Sequence, residues 1–207
     1  STKGKLLKRE STCSLYYTMI IIGIDVGYHN MALVESITDE DFNTTVEAVH
    51  HVNLTKLPHR CVSFKECTLN HTSEVADLMA HFFQEYGNIL DKADRIIVER
   101  QPPTGLTQIE TLLLYVYRSK TVLVSPNSMH SHFNIGHLEY ERRKEQTVRI
   151  ASPYLDEFEN YLKMERKHDI SDAVCMILFH LYPEKERERI RKVDRTMTLD
   201  SYRFTGS

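Results

Sequence analysis

Met-Ile-Ile-Ile-Gly-Ile-Asp-Val-Gly, at residues 19–27, sets the architecture of this chain. Its isoleucines form a short, continuously apolar run, which is typical of a strand buried on both faces. The run leads into Asp25, and a turn follows at residues 27–30, where Gly27 and Asn30 are able to adopt positive φ. Residues 31–37 are apolar again, so the sequence predicts an antiparallel hairpin with a carboxylate at the end of its first strand.

Outward from this hairpin, hydrophobic periodicity predicts further strands and helices. Strands are expected at 46–54, 95–99 and 121–125. Helices are expected at about 73–90, 106–119, 138–151, 155–164 and 169–182, the first of them capped by Thr72 or Ser73. This order indicates an α/β fold: a five-stranded mixed sheet of three antiparallel and then two parallel strands, with helices on both faces.

The length of 207 residues suggests one domain. We expect this domain at 19–183, after a basic N-terminal extension at 1–18 and before a charged C-terminal tail, or solvated helix, at 184–207. The formal net charge is −3, but basic residues cluster at 142–149, and association with a charged partner follows such a local field.

The composition also limits where the protein acts. No apolar run is long enough to span a membrane, and the basic opening lacks the small-residue cleavage site of a signal peptide. The four cysteines form no disulfide framework in a chain of this size. Reduced thiols in an intracellular compartment are therefore expected, with no membrane partner.

Four acidic residues lie where the predicted elements begin or end: Asp25, Glu99, Asp169 and Asp172. Asp25 and Glu99 each close an apolar strand, and Asp169 and Asp172 lie three residues apart on one face at the start of an apolar helix. Carboxylates crowded together repel each other unless protons or cations intervene. Asp and Glu oxygens suit Mg²⁺, and two such ions assist phosphodiester hydrolysis, so the set predicts a two-metal nuclease site.

Each acid alone has a simpler interpretation. Asp25 fits an Asx turn, and Glu99 fits an ion pair with Arg95 or Arg100. Asp169 fits a helix cap, and Asp172 fits an ordinary acid in a first helical turn. All four at the positions that one fold requires favour a shared metal site over four separate explanations.

The motifs around these acids resemble those of the RuvC-type Holliday junction resolvases, most closely the poxvirus branch. They are Gly-Ile-Asp-Val-Gly (23–27), Ile-Val-Glu-Arg-Gln (97–101), Arg-Lys-Glu-Gln-Thr-Val (143–148) and Lys-His-Asp-Ile-Ser-Asp-Ala (167–173). Glu-Arg-Gln is also similar to the fungal mitochondrial branch. The resemblance covers about residues 19–182 and implies a ribonuclease-H-like fold.

The resemblance implies a homodimer that binds a four-way DNA junction and nicks two strands symmetrically, with two Mg²⁺ or Mn²⁺ ions per active site. Asp25 would bridge the two metals, Glu99 would ligate from the neighbouring strand, and Asp169 and Asp172 would complete the set. Lys144 matches a lysine placed near the scissile phosphate. Poxvirus members resolve concatemeric genomes, which implies action in the cytoplasm of the infected host cell.

Basic and polar residues beside the acidic motifs are candidates for DNA contact: Arg100, Gln101, Arg142, Arg143, Lys144 and Arg149. Glutamates are interleaved among the residues of the 142–149 cluster, so a solvated helix face is the alternative. A zinc site is one interpretation of four further residues, His59, Cys61, Cys67 and His71. Their spacing is irregular, however, and a loop with incidental thiols is the expectation.

Three rival functions stay open. Actin-like ATPases and sugar kinases also begin with Gly-Ile-Asp-x-Gly, but they need a second glycine-rich phosphate loop. The chain has only seven glycines and no such loop after its first strand, so no nucleotide cofactor is expected. The others are a nuclease of the same fold acting on RNA or single strands, and an inactive junction-binding module.

Overall fold

The structure, a computed structural model, describes residues 18–57 and 74–203, with side chains described as far as Arg189. Three sequence predictions lie outside the described residues. These are the basic N-terminal extension up to residue 17, the candidate zinc ligands between residues 59 and 71, and the helix caps Thr72 and Ser73.

A five-stranded sheet forms the centre of the molecule, in the order β3-β2-β1-β4-β5. Its strands are β1 (Met19–Asp25), β2 (Met31–Thr38), β3 (Thr44–Val52), β4 (Arg95–Glu99) and β5 (Thr121–Val124). β2 is antiparallel to both β1 and β3, whereas β4 is parallel to both β1 and β5. The predicted α/β architecture and its mixture of antiparallel and parallel pairs are confirmed.

The described residues form six α-helices beside the sheet: α1 (Val75–Lys92), α2 (Thr107–Val116), α3 (Pro126–His132), α4 (Tyr140–Leu155), α5 (Glu159–Leu162) and α6 (Lys167–Arg203). The sequence analysis missed α3, because Pro126 was taken only as the end of a strand. Proline is also favourable in the first turn of a helix, where its missing N–H costs nothing. The expected helix at 155–164 is wrong over most of its length, since α4 continues to Leu155 and α5 has four residues.

Helix α6 is much longer than expected. It contains 37 residues and continues through Pro183 and the charged segment that follows, so the expected boundary at 183 falls inside one helix. It begins with charged and polar residues, residues 173–179 are apolar and mostly buried, and its later turns are charged. Among the described residues, no helix combines the length and the apolar character that crossing a membrane requires.

Both faces of the sheet are covered by helices, as expected. On one face Ile22 and Ile24 pack in a cluster with Phe82 of α1 and Leu113 of α2. On the opposite face Ile21 and Ile97 pack in a cluster with residues of α4, α5 and α6. The alternation of strand side chains places the isoleucine run of β1 in both clusters, which explains its continuous apolar character.

The turn after β1 works differently from the expectation. Neither Gly27 nor Asn30 has positive φ; among the described residues that conformation occurs at Phe42 and Asn134. Gly27 is required instead for space, because a Cβ atom there would collide with the backbone carbonyl of Asn30. The glycine therefore allows a close return of the chain rather than a left-handed backbone.

Candidate active site

Four carboxylates from three distant segments meet at one edge of the sheet. The parallel pairing of Ile24 with Val98 places the next residues, Asp25 and Glu99, side by side at the ends of β1 and β4. Asp169 and Asp172 lie in the first turns of α6. All four line one pocket of about 220 Å³, so the convergence expected from the sequence is present in the structure.

A glycine in β1 allows α6 to approach this closely. A Cβ atom on Gly23 would lie 2.7 Å from the carbonyl oxygen of Ala173 and 2.9 Å from Cδ1 of Ile177. The helix backbone therefore rests almost directly on the strand, two residues before Asp25. Because the helix beyond Asp172 is buried in the core, the aspartates at its start are held firmly against the strand end.

Asp25 and Glu99 share a hydrogen bond between their carboxyl groups. Burial, followed by the charges of Glu99, Asp172 and Asp169, raises the pKa of Asp25 well above its ordinary value, and Asp25 is the partner that donates. Burial also raises the pKa of Glu99, against the opposing effect of its hydrogen bonds. Glu99 accepts from the backbone N–H of Val26 and from Nε2 of Gln101, the latter at 2.6 Å.

Asp172 is the acid that most clearly indicates a need for a proton or a cation in the cluster. Burial, reinforced by the charges of Glu99 and Asp169, raises its pKa to about 7, although Thr147 and Lys144 oppose this shift. Its Oδ1 atom is buried and has no hydrogen-bond partner among the described residues. A buried carboxylate oxygen without a partner destabilises the folded protein. A proton or a cation bound to this atom would remove that destabilisation.

Asp169 is held by an arginine that the sequence analysis did not single out. Nε and Nη2 of Arg166 donate to Oδ2 and Oδ1 of Asp169 at 2.9 and 3.2 Å. Nε2 of His168 lies 3.1 Å from Oδ1, and Nε2 of His51 lies 3.8 Å from Oδ2. Asp169 is thus surrounded by nitrogen groups, in contrast to Asp172.

The predicted DNA-contact residues fall into two groups. Lys144 and Arg143 line the acidic pocket, and Nζ of Lys144 lies 4.0 Å from the centroid of the Tyr140 ring. Arg142 and Arg149 are exposed on α4 outside the pocket lining, and Arg100 is exposed just after Glu99.

The side chain of Gln101 supports the site from behind. Its amide nitrogen donates to Glu99, and its amide oxygen accepts from the backbone N–H of Leu106 at 3.2 Å. It therefore links the end of β4 to the start of α2. Arg95, one of the partners considered for Glu99, lies at the opposite end of β4, where Nη2 is 3.7 Å from Oε1 of Glu184.

Several residues at the site escaped the sequence analysis. Arg166 precedes Asp169 by three residues, and this helical spacing is the signal that was available for it. His51 lies on β3, and only the strand order reveals that its face of the sheet meets α6. Thr147 is buried in α4, where its hydroxyl donates to the carbonyl oxygen of Lys144 at 3.0 Å.

The chemistry of the donor set fits a hard divalent cation. All four acids offer oxygen ligands, which Mg²⁺ and Mn²⁺ prefer, and the buried Oδ1 of Asp172 has no hydrogen-bond partner within the described part of the chain. As the side chains stand, no group of three His, Cys, Asp or Glu residues within the described ranges is arranged to hold a metal ion. The guanidinium of Arg166 lies on both carboxylate oxygens of Asp169, which are the atoms that ligation would use.

The sheet order, the acids at the ends of two neighbouring parallel strands and the acidic start of a packed helix define a ribonuclease-H-like protein. The chain belongs to the poxvirus A22 protein family, whose sequence model matches residues 19–183. Comparison with curated protein sequences gives no match.

Solved structures show the same fold. Fowlpox virus resolvase, in complex with Holliday junction DNA, is 17% identical with a TM-score of 0.58, over 80% of this chain and 98% of its own. The yeast mitochondrial Holliday junction resolvase Ydc2 is 18% identical with a TM-score of 0.54, over 84% and 88%. Thermus thermophilus RuvC is 13% identical with a TM-score of 0.53, over 81% and 96%. The resemblance read from the motifs is therefore confirmed at the level of fold and family.

Proposed function

We propose that this protein is a divalent-metal-dependent endonuclease that resolves four-way DNA junctions by a pair of symmetric nicks. The observation that carries the proposal is the convergence of Asp25, Glu99, Asp169 and Asp172 in one pocket, with Lys144 beside them. Burying acids that raise one another's pKa values lowers the stability of the folded protein. A role in binding cations explains why such a cluster is present.

Asp25, Glu99 and Asp172 would hold the metal ions, with Asp169 as the fourth ligand. Bound divalent cations supply an activated water and stabilise the departing oxygen of a phosphodiester. Asp25 is close to both other segments, because the charges of Glu99, Asp172 and Asp169 all act on it. Gln101 and the N–H of Val26 orient the Glu99 carboxylate for this role.

Lys144 would face the phosphate that is cut. Its ammonium is close enough to Asp172 to lower the pKa of that acid, which places it at the border between the acidic cluster and the open pocket. A fixed cation at that border offsets the charge that develops on phosphate oxygens during cleavage. Thr147, one turn along α4, fixes the backbone that carries it.

A second pocket next to the acidic one supports a path for the DNA backbone. It has a volume of about 390 Å³ and shares His130 and Arg143 with the acidic pocket. Its lining side chains are hydrogen-bond donors without any carboxylate: Asn127, His130, Ser131, Asn134, His137 and Arg143. Such a lining suits a phosphate adjoining the one at the acids.

Further aspects of the proposal rest on the family. The protein would act as a homodimer, because twofold symmetry presents two sites to the two equivalent strands of a junction. Structures of the fowlpox and Thermus relatives contain Holliday junction DNA. The role would be the resolution of concatemeric viral genomes in the cytoplasm of the infected cell.

A gel assay tests the proposal. A four-way junction, a linear duplex and an RNA–DNA hybrid are each incubated with the protein in Mg²⁺, in EDTA or with added ATP. We expect nicking of the junction in Mg²⁺ alone, without a requirement for ATP. Asp25→Asn, Glu99→Gln and Asp172→Asn should each lower the nicking rate by roughly three orders of magnitude while preserving junction binding.

Glu159→Gln is the matched control, because Glu159 is an exposed carboxylate that pairs only with Lys163 on the surface. It should nick at the wild-type rate. Equal nicking by wild type and Asp25→Asn would contradict the proposal, and preferential cleavage of the hybrid would favour the RNA-directed nuclease of the same fold.

A further inference from the structure

The contact between Arg166 and Asp169 joins an exposed cation to a buried acid. The Asp169 side chain is 7% exposed, whereas the Arg166 side chain is 49% exposed. Both carboxylate oxygens accept a hydrogen bond from the guanidinium, at 2.9 and 3.2 Å. One end of the pair is therefore fixed in the acidic pocket, and the other is free to move into solvent.

The guanidinium also lies in the field of the remaining acids. It lines the same pocket as Asp25, Glu99 and Asp172. A charged group in this position stabilises acids that would otherwise repel one another without a cation. Arg166 thus supplies positive charge to the cluster in the metal-free protein.

A guanidinium that engages both oxygens of a carboxylate competes with a divalent cation for them. Mg²⁺ needs its oxygen ligands at about 2.1 Å and in a nearly octahedral arrangement. Both oxygens of Asp169 already accept hydrogen bonds from Arg166, and two positive groups so close would repel each other. The arginine therefore opposes ligation by Asp169, and ligation is favoured when the arginine moves away.

We propose that Arg166 is an exchangeable counter-ion of Asp169: it holds the carboxylate in the metal-free protein and leaves it when a divalent cation binds there. This inference rests on the proposed function, which calls for the cation. Because half of the Arg166 side chain is already exposed, the exchange needs no opening of the core. The arginine is a positioning residue that keeps the site ordered and sets the metal concentration at which Asp169 becomes a ligand.

Direct metal binding tests the exchange. The full chain without DNA is titrated with Mn²⁺, and free Mn²⁺ is followed by electron paramagnetic resonance at one alkaline pH, where an ordinary imidazole is neutral. Arg166→Met removes the competing cation, so we expect Mn²⁺ to bind roughly tenfold more tightly than to wild type. Arg166→Lys should give an intermediate affinity, because an ammonium lacks the planar fork that engages both oxygens.

Thermal unfolding provides an independent measure. In EDTA, Arg166→Met should melt below wild type, since Asp169 has lost its bidentate partner. Saturating Mn²⁺ should then raise the melting temperature of Arg166→Met more than that of wild type, because the ion replaces a missing charge. Arg166→Gln, which keeps a donor but no charge, serves if Arg166→Met fails to fold, and it should also bind Mn²⁺ more tightly than wild type.

Arg189→Met is the matched control. Arg189 pairs with Glu186 at the same helical spacing and at 2.9 Å, but it lies on the exposed part of α6. Its Mn²⁺ affinity should equal that of wild type. Mn²⁺ binding to Arg166→Met and Arg166→Gln that is no tighter than to wild type overturns the exchange.

The two proposals fail in different ways. If wild type binds Mn²⁺ and Asp25→Asn weakens that binding while Arg166→Met does not change it, only the exchange is wrong. If wild type binds no Mn²⁺ at all, the proposal of a metal site is wrong, and the proposed exchange is wrong as well.

Discussion

The two faces of the sheet bury the same strand for different purposes. On the face covered by α1 and α2, Ile22 and Ile24 meet large side chains such as Phe82, and the contact is made between side chains. On the face covered by α6, Gly23 meets the backbone of Ala173 directly, without a layer of side chains between them. The first face is filled and apolar, and the second ends in a cluster of acids.

This difference shows how stability and chemistry can be divided within one domain. Side-chain packing tolerates small adjustments, because neighbouring side chains can change rotamer. Backbone-to-backbone contact does not, but it positions groups along the two elements to within a fraction of an ångström. Asp25, Asp169 and Asp172 stand close to that second kind of contact, on the two elements that it joins.

The largest expected effect belongs to the filled face. Phe82 is fully buried in α1. Phe82→Ala should lower the free energy of unfolding by about 4 kcal/mol, because it removes apolar contacts and leaves a cavity. Urea denaturation measures the loss, and the nicking rate per folded molecule should stay close to that of wild type. A nicking rate that falls as steeply as the stability would show that the two faces are not separable.

The acidic face should make the stability of the protein depend on pH. The pKa of Asp172 rises from an ordinary value of 3.8 in the unfolded chain to about 7 in the folded protein, chiefly through burial. Its contribution to stability is therefore complete at low pH and is lost as the pH rises through about 7. In EDTA, wild type should lose about 3 kcal/mol relative to Asp172→Asn between about pH 5 and pH 8.

Chemical denaturation of both proteins across this range measures that difference directly. Asp172→Asn also removes one of the charges that raise the pKa of Asp25, so the difference reports Asp172 together with its effect on that neighbour. Parallel pH profiles for wild type and Asp172→Asn would mean that Asp172 is not held in a protonated state.

The smallest effect, but the most specific one, concerns the glycine beneath α6. Gly23→Ala should cost about 2 kcal/mol of stability, since its Cβ atom has no room against Ala173 and Ile177. Gly23→Ala should reduce nicking by more than its stability loss explains. The added Cβ atom would push α6 outward, and Asp169 and Asp172 would move away from Asp25 with it. Melting temperature and nicking rate are measured on the same preparation.

Gly87→Ala is the control for that substitution on the other face. Gly87 lies inside helix α1, and among the described residues its Cβ atom would meet only the hydroxyl of Tyr117, at an ordinary 3.8 Å. Alanine there should stabilise the protein by up to about 1 kcal/mol and leave nicking unchanged. Equal losses of nicking in both variants would remove the special role of Gly23.

Much of this arrangement was predictable from sequence, because the signals were local. The apolar run before Asp25 and the run before Glu99 each predicted a strand with an acid at its end, and both strands are present. The spacing of Asp169 and Asp172 predicted one helix face, and both residues line the same pocket. The order of elements then predicted the mixed sheet.

The rest depended on tertiary contacts that leave little trace in sequence. His51 reaches Asp169 only because β3 lies on the side of the sheet that α6 crosses. The length of α6 was underestimated, because the apolar pattern that predicted a core helix stops at about residue 182, although the helix continues through Pro183 and the charged residues after it. The role of Gly27 was misjudged, since its small size matters there and its φ is negative.

The acidic pair on α6 also has a consequence for the exchange of backbone amides with solvent. The residues that follow the pair along the helix are among the most buried of the molecule, including Ala173 and Val174. The backbone amides of this buried part of α6 should therefore exchange with solvent only when the whole domain unfolds. A cation bound at the aspartates raises the free energy of unfolding, so it should slow the exchange of amides in the core, far from the site itself.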